Sequence, residues 1–412
     1  MNNMVIKIYP RKLLPAIEKA LPIPEIIVIH GARQTGKTTL MGLISDKLKM
    51  DNDQKNIIQF DLEDFELTEL CNRGVPAVIE YLQARNCDFK RKIYLLIDEI
   101  QYLENPSSFL KFFFDHWRGK IKLIVSGSSS FAIKSKFKES LVGRTLDFEL
   151  FGLDFDEFLT FKEVSLDLDT KDKITIKELK KLFQEFVFYG GYPRIVLEKS
   201  FEIKEQLLKQ IIDTYLRKDI RDLAKISDIN KFNKLLRILA GQSGSLLNSL
   251  ELANTVDLAR PTLENYLMIL ENTYVIKLLT PFAGNLRTEL TKMPKIYFED
   301  LGLKHILEKG MFPTVIRGND LETACFSLLR KNHKDENLHF WRTVNKEEID
   351  FVLEEPKKLL AYEVKINGRN KNRLLLNKFK KIYPRAKTYL VGFGFIDQKI
   401  KQDLNFIYPW QI

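Results

Sequence analysis

The stretch IIVIHGARQTGKTTL, running from Ile26 to Leu40, decides the fold. Its first four residues, Ile26 to Ile29, are apolar and β-branched and predict a fully buried parallel strand. Gly31 to Thr38 then fits the pattern G-x-x-x-x-G-K-[ST] at every fixed position. Two glycines let the backbone curl until its N–H groups converge on a phosphate, and the helix that follows adds its positive N-terminal end. That helix is announced by Leu40, Leu43, Ile44 and Leu48. Lys37 is placed to reach the β- and γ-phosphates, and the Thr38 hydroxyl to sit on Mg2+. Gly31, Ala32, Arg33, Gln34, Thr35, Gly36, Lys37, Thr38 and Thr39 are the expected nucleotide contacts. The plainer alternative is a glycine-rich turn without a ligand, and the strand before it and helix after it argue against that. The implied ligand is a nucleoside triphosphate, ATP with Mg2+.

Downstream, IYLLIDE from Ile93 to Glu99 is an apolar strand that runs into two acids. This is the Walker B pattern. Asp98 is expected to hold the magnesium shell, and Glu99 to orient and polarise the attacking water. Ile121 to Ser130 is another buried strand, now ending in hydroxyls, where Ser126 or Ser128 is expected to sense the γ-phosphate; a Gly/Ser turn is the alternative. Asn56 to Phe60 reads as a short strand followed by the acidic Asp61 to Asp64, and Leu146 to Phe151 as the last strand. Just before that strand lies Arg144, expected to stabilise transition-state charge in cis or across a subunit interface, with an exposed structural arginine as the alternative. Alternating strands and helices predict a doubly wound sheet with the site at the strand C-terminal ends.

At 412 residues the chain predicts two or three domains. A hydrophobic content of 45% with 29% charged residues is ordinary for a soluble globular protein. No apolar run approaches the roughly 18 residues that span a bilayer, and the N-terminus lacks the apolar core of a signal peptide. Cys71, Cys87 and Cys325 form no C-x-x-C pair, and the five histidines show no zinc spacing, so a cytoplasmic protein without structural zinc is expected. The formal charge of +10 is unevenly placed. From Glu322 to Ile412 there are 18 Lys and Arg against 11 Asp and Glu, and no acid falls between Val364 and Ile396. Lys378, Lys380 and Lys381 lie in that acid-free run, which suits a polyanion partner, DNA, as well as a merely solvated face.

Between these regions, Phe155 to Phe161 and Ile176 to Phe188 read as helices. Tyr189-Gly-Gly-Tyr-Pro193 interrupts them, and Ile203 to Lys225 resumes, with mixed charge from Tyr215 to Arg221. Together they predict a helical lid. Phe232, Leu235, Leu236 and Leu239 mark one amphipathic helix, Leu250 to Val256 a second, and Arg260 to Leu270 a third with Pro261 in its first turn. Two β-rich segments follow, Tyr274 to Phe282 and Lys295 to Phe298. Three helices and a hairpin predict a winged helix-turn-helix with Arg260, Thr262 and Asn265 toward a DNA groove. Protein contact or plain packing are the alternatives.

The last region carries a second constellation. Glu348-Ile-Asp350-Phe-Val-Leu353 predicts a strand, and Leu359 to Lys365 its partner after a turn at Pro356. Glu363 and Lys365 share a strand face, and Asp350 is expected to meet them from the neighbouring strand. With Glu322 from an upstream helix, this fits the PD-(D/E)xK arrangement. Two carboxylates about 4 Å apart repel by ~4 kcal/mol at an effective dielectric of 20, and a divalent ion relieves this. Asp350, Glu363 and Glu322 are thus the expected ligands of a second Mg2+ or Mn2+, with Lys365 positioning the attacking water. A hairpin of alternating surface charges is the alternative.

Taken together, GARQTGKTTL, LLIDEIQ, VSGSSS, LVGR, YGGYPR, LENYLMILENTYVIKLL, KIYFEDLGL, FWR and EIDFVL…YEVK resemble one family across nearly the whole chain. It is the group of prokaryotic, notably archaeal, AAA-type P-loop ATPases with a winged helix and a C-terminal restriction-endonuclease-like domain. Two departures bear on nuclease activity more than on fold: Thr323 follows Glu322 where the family often has Asn, and Ile366 follows Lys365 where it commonly has Ser or Thr. The expected class is α/β: an AAA-like P-loop NTPase parallel sheet over residues 1–155, a helical lid over 156–228, a winged helix-turn-helix over 229–294 and an α/β restriction-endonuclease-like domain over 295–412. The function implied is a DNA-associated ATPase whose nucleotide cycle controls a winged helix and a metal-dependent nuclease domain, with DNA and further copies of the chain as the implied partners. The alternatives are an ATP-driven switch whose nuclease fold only binds, and a ring-forming, helicase-like motor.

Overall fold

The apolar run at Ile26 forms β1 (Ile26–Gly31), buried along its whole length. The computed structural model describes residues 7–128, 141–214, 226, 228–282, 293–368, 370–394 and 404–412. Two units are distinguished, one holding residues 7–151 with 272–274, the other holding 152–271 and 275–412.

In the first unit, β1 lies in a five-stranded parallel sheet with β2 (Ile57–Asp61), β3 (Ile93–Asp98), β4 (Ile121–Ser128) and β5 (Thr145–Glu149), in the order β2-β3-β4-β1-β5. Alternate residues of β1 face opposite layers, as the period of two in a strand requires. Ile27 and Ile29 pack with Leu40, Met41, Ile44 and Leu48 of α2 (Lys37–Asp51) and Ile17 of α1 (Leu14–Ala20). Ile26 and Val28 pack in the layer of α3 (Phe65–Asn72), α4 (Val75–Ala84) and α5 (Pro106–Trp117). Every strand is parallel, so all C-terminal ends meet at one edge. Gly31, Asp61, Asp98 and Ser126 lie toward that edge.

The second unit opens with α6 (Phe155–Phe161), α7 (Lys173–Tyr189), α8 (Pro193–Leu197) and α9 (Phe201–Ile211). The mixed-charge segment Tyr215 to Arg221 lies outside the described residues. Gly190 and Gly191 end α7 for a steric reason. Gly190 has φ +79, and a Cβ there would come within 2.3 Å of Asp300 Oδ1. Gly191 donates its N–H to Asp300 Oδ2 at 2.8 Å, while Asp300 Oδ1 accepts from Leu303 N and so caps α13 (Leu301–Lys309). A Cβ on Gly302 would meet the Tyr189 carbonyl oxygen at 2.3 Å. The YGGYP and EDLGL stretches are therefore two sides of one close backbone junction.

Before α13, the helices α10 (Ile229–Gly241), α11 (Ser249–Val256) and α12 (Arg260–Asn272) lead into the antiparallel pair β6 (Ile276–Leu279) and β7 (Lys295–Phe298). Lys231 and Lys234 of α10 donate to the Asp257 and Thr255 carbonyls at the end of α11, which fixes those two helices. After α13 come α14 (Gly318–Asn332), β8 (Leu338–Arg342), β9 (Glu348–Glu355), β10 (Lys358–Lys365), α15 (Asn370–Ile382), β11 (Ala386–Gly392) and β12 (Asn405–Ile407). Their sheet runs β12-β11-β10-β9-β8, with β8–β9 and β9–β10 antiparallel and β10–β11 parallel. No helix among the described residues is long and apolar enough to cross a membrane.

Candidate functional site

The turn after β1 is built for a close approach of backbone to a ligand. A Cβ on Gly31 would strike the Leu150 carbonyl oxygen at 2.3 Å, and Gly36 adopts φ +96, open to glycine alone without strain. Gln34 is also left-handed, with φ 63. Thr35 Oγ1 donates to the Ala32 carbonyl at 2.9 Å, and Arg11 braces the loop from below through the carbonyls of Thr35 at 2.6 Å and Phe151 at 2.8 Å. Lys37 opens α2 and is buried, its ammonium donating to the carbonyls of Gly31 at 3.1 Å and Ala32 at 2.8 Å. Burial pushes it down to about 8, against the opposing pull of Glu99 and Asp98. Thr38 and Thr39 stand exposed on the first turn of α2, and Arg33 is half-buried.

Asp98 ends β3 and is itself buried. The Ser126 hydroxyl, fully buried on β4, donates to Asp98 Oδ1. β4 lies between β1 and β3, so Ser126 sits between the phosphate turn and the acidic strand end. Its hydroxyl orients that carboxylate, so the residue expected to sense a γ-phosphate stands beside the acid of the site; the side chain of Ser128 lies outside the described residues. Glu99 takes φ 56, a left-handed conformation that costs a non-glycine residue about 1 kcal/mol, and its carboxylate accepts from Gln101 Nε2. These residues fit a nucleotide–Mg2+ pair: an open glycine cradle, a buried ammonium, a hydroxyl at Thr38 and a positioned carboxylate at Asp98.

Arg144 lies elsewhere. Its carbonyl accepts from Ile26 N at 2.9 Å, level with the start of β1. Gly31 is five residues further along that strand, roughly 17 Å away at about 3.3 Å per residue. The guanidinium pairs with Asp115 of α5, Nε to Oδ1 at 2.9 Å. A role in cis is therefore corrected: Arg144 occupies the edge of its own sheet opposite the phosphate turn.

In the second unit the structure brings Glu322, Asp350, Glu363 and Lys365 into one cluster. The β9–β10 register, Tyr362 opposite Phe351, sets Glu363 beside Asp350. Lys365 Nζ lies 2.9 Å from both Asp350 Oδ2 and Glu363 Oε1. Asp350 Oδ2 also accepts from Val364 N at 2.8 Å, and Glu363 Oε1 from Asn372 of α15 at 3.0 Å. A second lysine arrives from β7. Lys295 is 2% exposed, and its ammonium lies 2.9 Å from Glu322, 2.6 Å from Glu348 and 3.9 Å from Asp350. Tyr297 donates its hydroxyl to Glu322 at 2.6 Å, held by stacking on Phe326.

Burial, then the charge of Asp350, pushes Glu363 up to about 8 and raises Glu322. Burial works against charge on Lys295 and Lys365, yet the carboxylates around them outweigh it and carry both above the usual lysine value. Glu363 Oε2 is buried with no hydrogen-bond partner among the described residues. The metal set of Asp350, Glu363 and Glu322 is not assembled: among the described residues no group of three His, Cys, Asp or Glu side chains converges to hold an ion. The physical reason is that two ammonium groups already stand between the acids. Lys365 is likewise bound into ion pairs.

Residues 24–159 match the AAA domain family. The nucleotide-binding unit is an AAA-type P-loop ATPase domain. Residues 180–314 and 317–412 match two families described as domains of unknown function, DUF8612 and DUF4143. An uncharacterized protein of Haemophilus influenzae is 27% identical over 379 residues, covering 88% of this chain and 90% of its own. Another, of Methanocaldococcus jannaschii, is 29% identical over 372 residues, covering 87% and 78%. Among solved structures, the Aeropyrum pernix ORC1 protein in complex with DNA aligns at TM-score 0.33 and 11% identity, covering 74% of this chain and 94% of that one.

Outside the AAA domain, the expected DNA-facing residues sit on two surfaces. Arg260 and Asn265 are exposed on α12 and Thr262 is half-buried, while Leu263, Tyr266, Leu267 and Leu270 turn inward. Arg260 pairs with Glu264 at 2.8 Å one turn on, so this face is not strongly basic. Lys378, Lys380 and Lys381 are exposed near the C-terminal end of α15, with Lys378 paired to Glu347. Asn372 is at the other end of that helix, so Lys381 lies about 13 Å along the axis from the acidic cluster. Lys295, Glu348, Tyr297 and Asn372 are the cluster members that sequence reasoning missed. The signal for Lys295 was a lysine opening an otherwise apolar strand, KIYF.

Proposed function

We propose that this protein is an ATP-hydrolysing, DNA-associated switch of the cytoplasm. The carrying observation is the phosphate cradle of the AAA domain facing Asp98 and Glu99 at one edge of the parallel sheet. Lys37 would hold the nucleotide's phosphates, Thr38 and Asp98 would hold Mg2+, and Ser126 keeps Asp98 oriented. Mg2+ held there would supply positive charge to offset that of the phosphates. Glu99 orients the attacking water and accepts its proton.

DNA association is supported by α10 to α12 followed by the β6–β7 pair, an order that suits a winged helix-turn-helix with α12 toward a groove. The mixed sheet after α14 is read here as a restriction-endonuclease-like domain, a reading supported by Asp350 and Glu363-x-Lys365 on its adjacent strands β9 and β10. The proposed boundaries are 229–294 and 295–412, with a helical lid over 156–228, so the strand β7 that completes the hairpin falls just past the first of them. Within this frame, binding without cleavage is favoured over a nuclease by one observation: Lys295, a lysine additional to the motif, compensates acids that would ligate a metal.

Fluorescence anisotropy on duplex DNA across a salt series tests the DNA half. Affinity should fall steeply with salt, with a log–log slope of about −0.9 per neutralised phosphate. Replacing Lys378, Lys380 and Lys381 by alanine should flatten the slope by up to about 2.7 while ATP turnover stays unchanged. A slope that the triple variant leaves alone would move the DNA contact off α15.

If the protein assembles, Arg144 is the residue proposed to reach a neighbour's nucleotide. ATPase activity per subunit should then rise with protein concentration, and mixing in Arg144→Ala should poison it. Concentration-independent turnover by a demonstrated monomer rules that role out.

A further inference from the structure

We propose that Lys295 is a resident cation of the C-terminal cluster, an ammonium built into the place where a PD-(D/E)xK fold would hold a divalent metal. The inference rests on reading the C-terminal domain as a nuclease-like fold that does not cleave. It is carried by geometry. The Lys295 ammonium stands among the acids, 2.9 Å from Glu322 of α14 and 2.6 and 3.9 Å from Glu348 and Asp350 of β9. The lysine comes from outside the mixed sheet. Its strand, β7, pairs with β6, and the side chain crosses to the acids at 2% exposure.

A lysine that merely covered a polar surface would keep its head in water. This one is held by three carboxylates, with the Tyr297 hydroxyl closing Glu322 and Arg342 Nη1 closing Glu348 at 2.5 Å. Lys365 does the same for the remaining pair, Asp350 and Glu363. The acids are thus compensated by the chain itself, and a divalent ion entering among them would have to displace an ammonium that is already desolvated and paired. Removing one partner of such a buried pair leaves the other charges uncompensated. Methionine at position 295 keeps the length of the side chain and drops the charge. It should therefore turn the cluster from one that excludes a divalent ion into one that takes it.

The experiment is Mn2+ binding to the full-length, nucleotide-free protein, followed by electron paramagnetic resonance, in wild type, Asp350→Asn, Lys295→Met and the double variant. Wild type and Asp350→Asn should bind Mn2+ alike, because the cluster contributes nothing. Lys295→Met should gain a stoichiometric Mn2+ that the double variant loses again. If wild type already binds a Mn2+ that Asp350→Asn abolishes, Lys295 is not the resident cation. A folded Lys295→Met that gains nothing overturns the proposal equally. Should Lys295→Met fail to fold, Lys295→Gln, which keeps a donor toward Glu322, takes its place under the same criteria. Failure of the DNA assay with this Mn2+ pattern intact would count against the proposed function and leave the role of Lys295 standing.

Discussion

Glu99→Gln should bind ATP as tightly as wild type and hydrolyse it about 10²- to 10⁴-fold more slowly, the range by which a positioned general base accelerates proton transfer. The argument begins with the backbone. β3 ends at Asp98, and Glu99 turns out of the strand at φ 56, where a non-glycine residue is kept only if its surroundings hold it there. Gln101 and the Asp98–Ser126 contact supply those surroundings. Glutamine preserves the shape and the ability to meet Gln101, so the cradle at Gly31 to Thr38 should not change. What it removes is an acceptor basic enough to polarise water. Equilibrium binding of a fluorescent ATP analogue and steady-state phosphate release separate the two effects. Normal turnover in Glu99→Gln would assign water activation to another residue.

Why that edge of the sheet was legible from sequence, and other features were not, has a physical cause. Strand β1 and the turn after it are local: apolar run, glycines and lysine follow one another, and the parallel sheet brings the ends of β3 and β4 to the same edge. The same rule, applied to Arg144, would have warned against a role in cis. A residue that precedes a parallel strand lies at the edge opposite the C-terminal ends, as the Ile26–Arg144 hydrogen bond shows. Ser126 can be placed at the end of its strand from sequence, but its partner Asp98 lies on a different strand, and no spacing encodes that hydrogen bond. In the C-terminal region, Glu363 and Lys365 were readable because i and i+2 on a strand face together. Asp350 followed from the hairpin register. Lys295 was not readable as a member because it is 27 residues from Glu322 along the chain and sits on a strand that pairs elsewhere. The Asp300 junction with Gly190 and Gly191 failed for the same reason, a contact 109 residues long.

The second large effect is expected at Lys37. Lys37→Met should weaken ATP binding about 100-fold or more, since charge-assisted hydrogen bonds to phosphate contribute roughly 1.5–3 kcal/mol each and this ammonium is proposed to reach two phosphates. Isothermal titration with ATP–Mg2+ measures it directly. The same substitution has an opposite consequence for stability without nucleotide. Burial holds the folded ammonium at about 8, below the 10.5 of an exposed lysine. A folded value depressed in this way means that keeping the charge costs the folded protein roughly 3 kcal/mol below pH 8. As pH rises from about 8 to 10.5, the folded chain sheds a proton that the unfolded chain keeps, and the cost is lifted. Methionine carries no such cost at any pH. Lys37→Met should therefore gain stability over wild type at pH 7.5, and the gain should shrink between pH 8 and 10.5, read as the difference in urea midpoints at constant m. A gain that stays constant across that window would show that the buried charge is not at Lys37. ATP binding at wild-type affinity would remove the lysine from the phosphate site altogether.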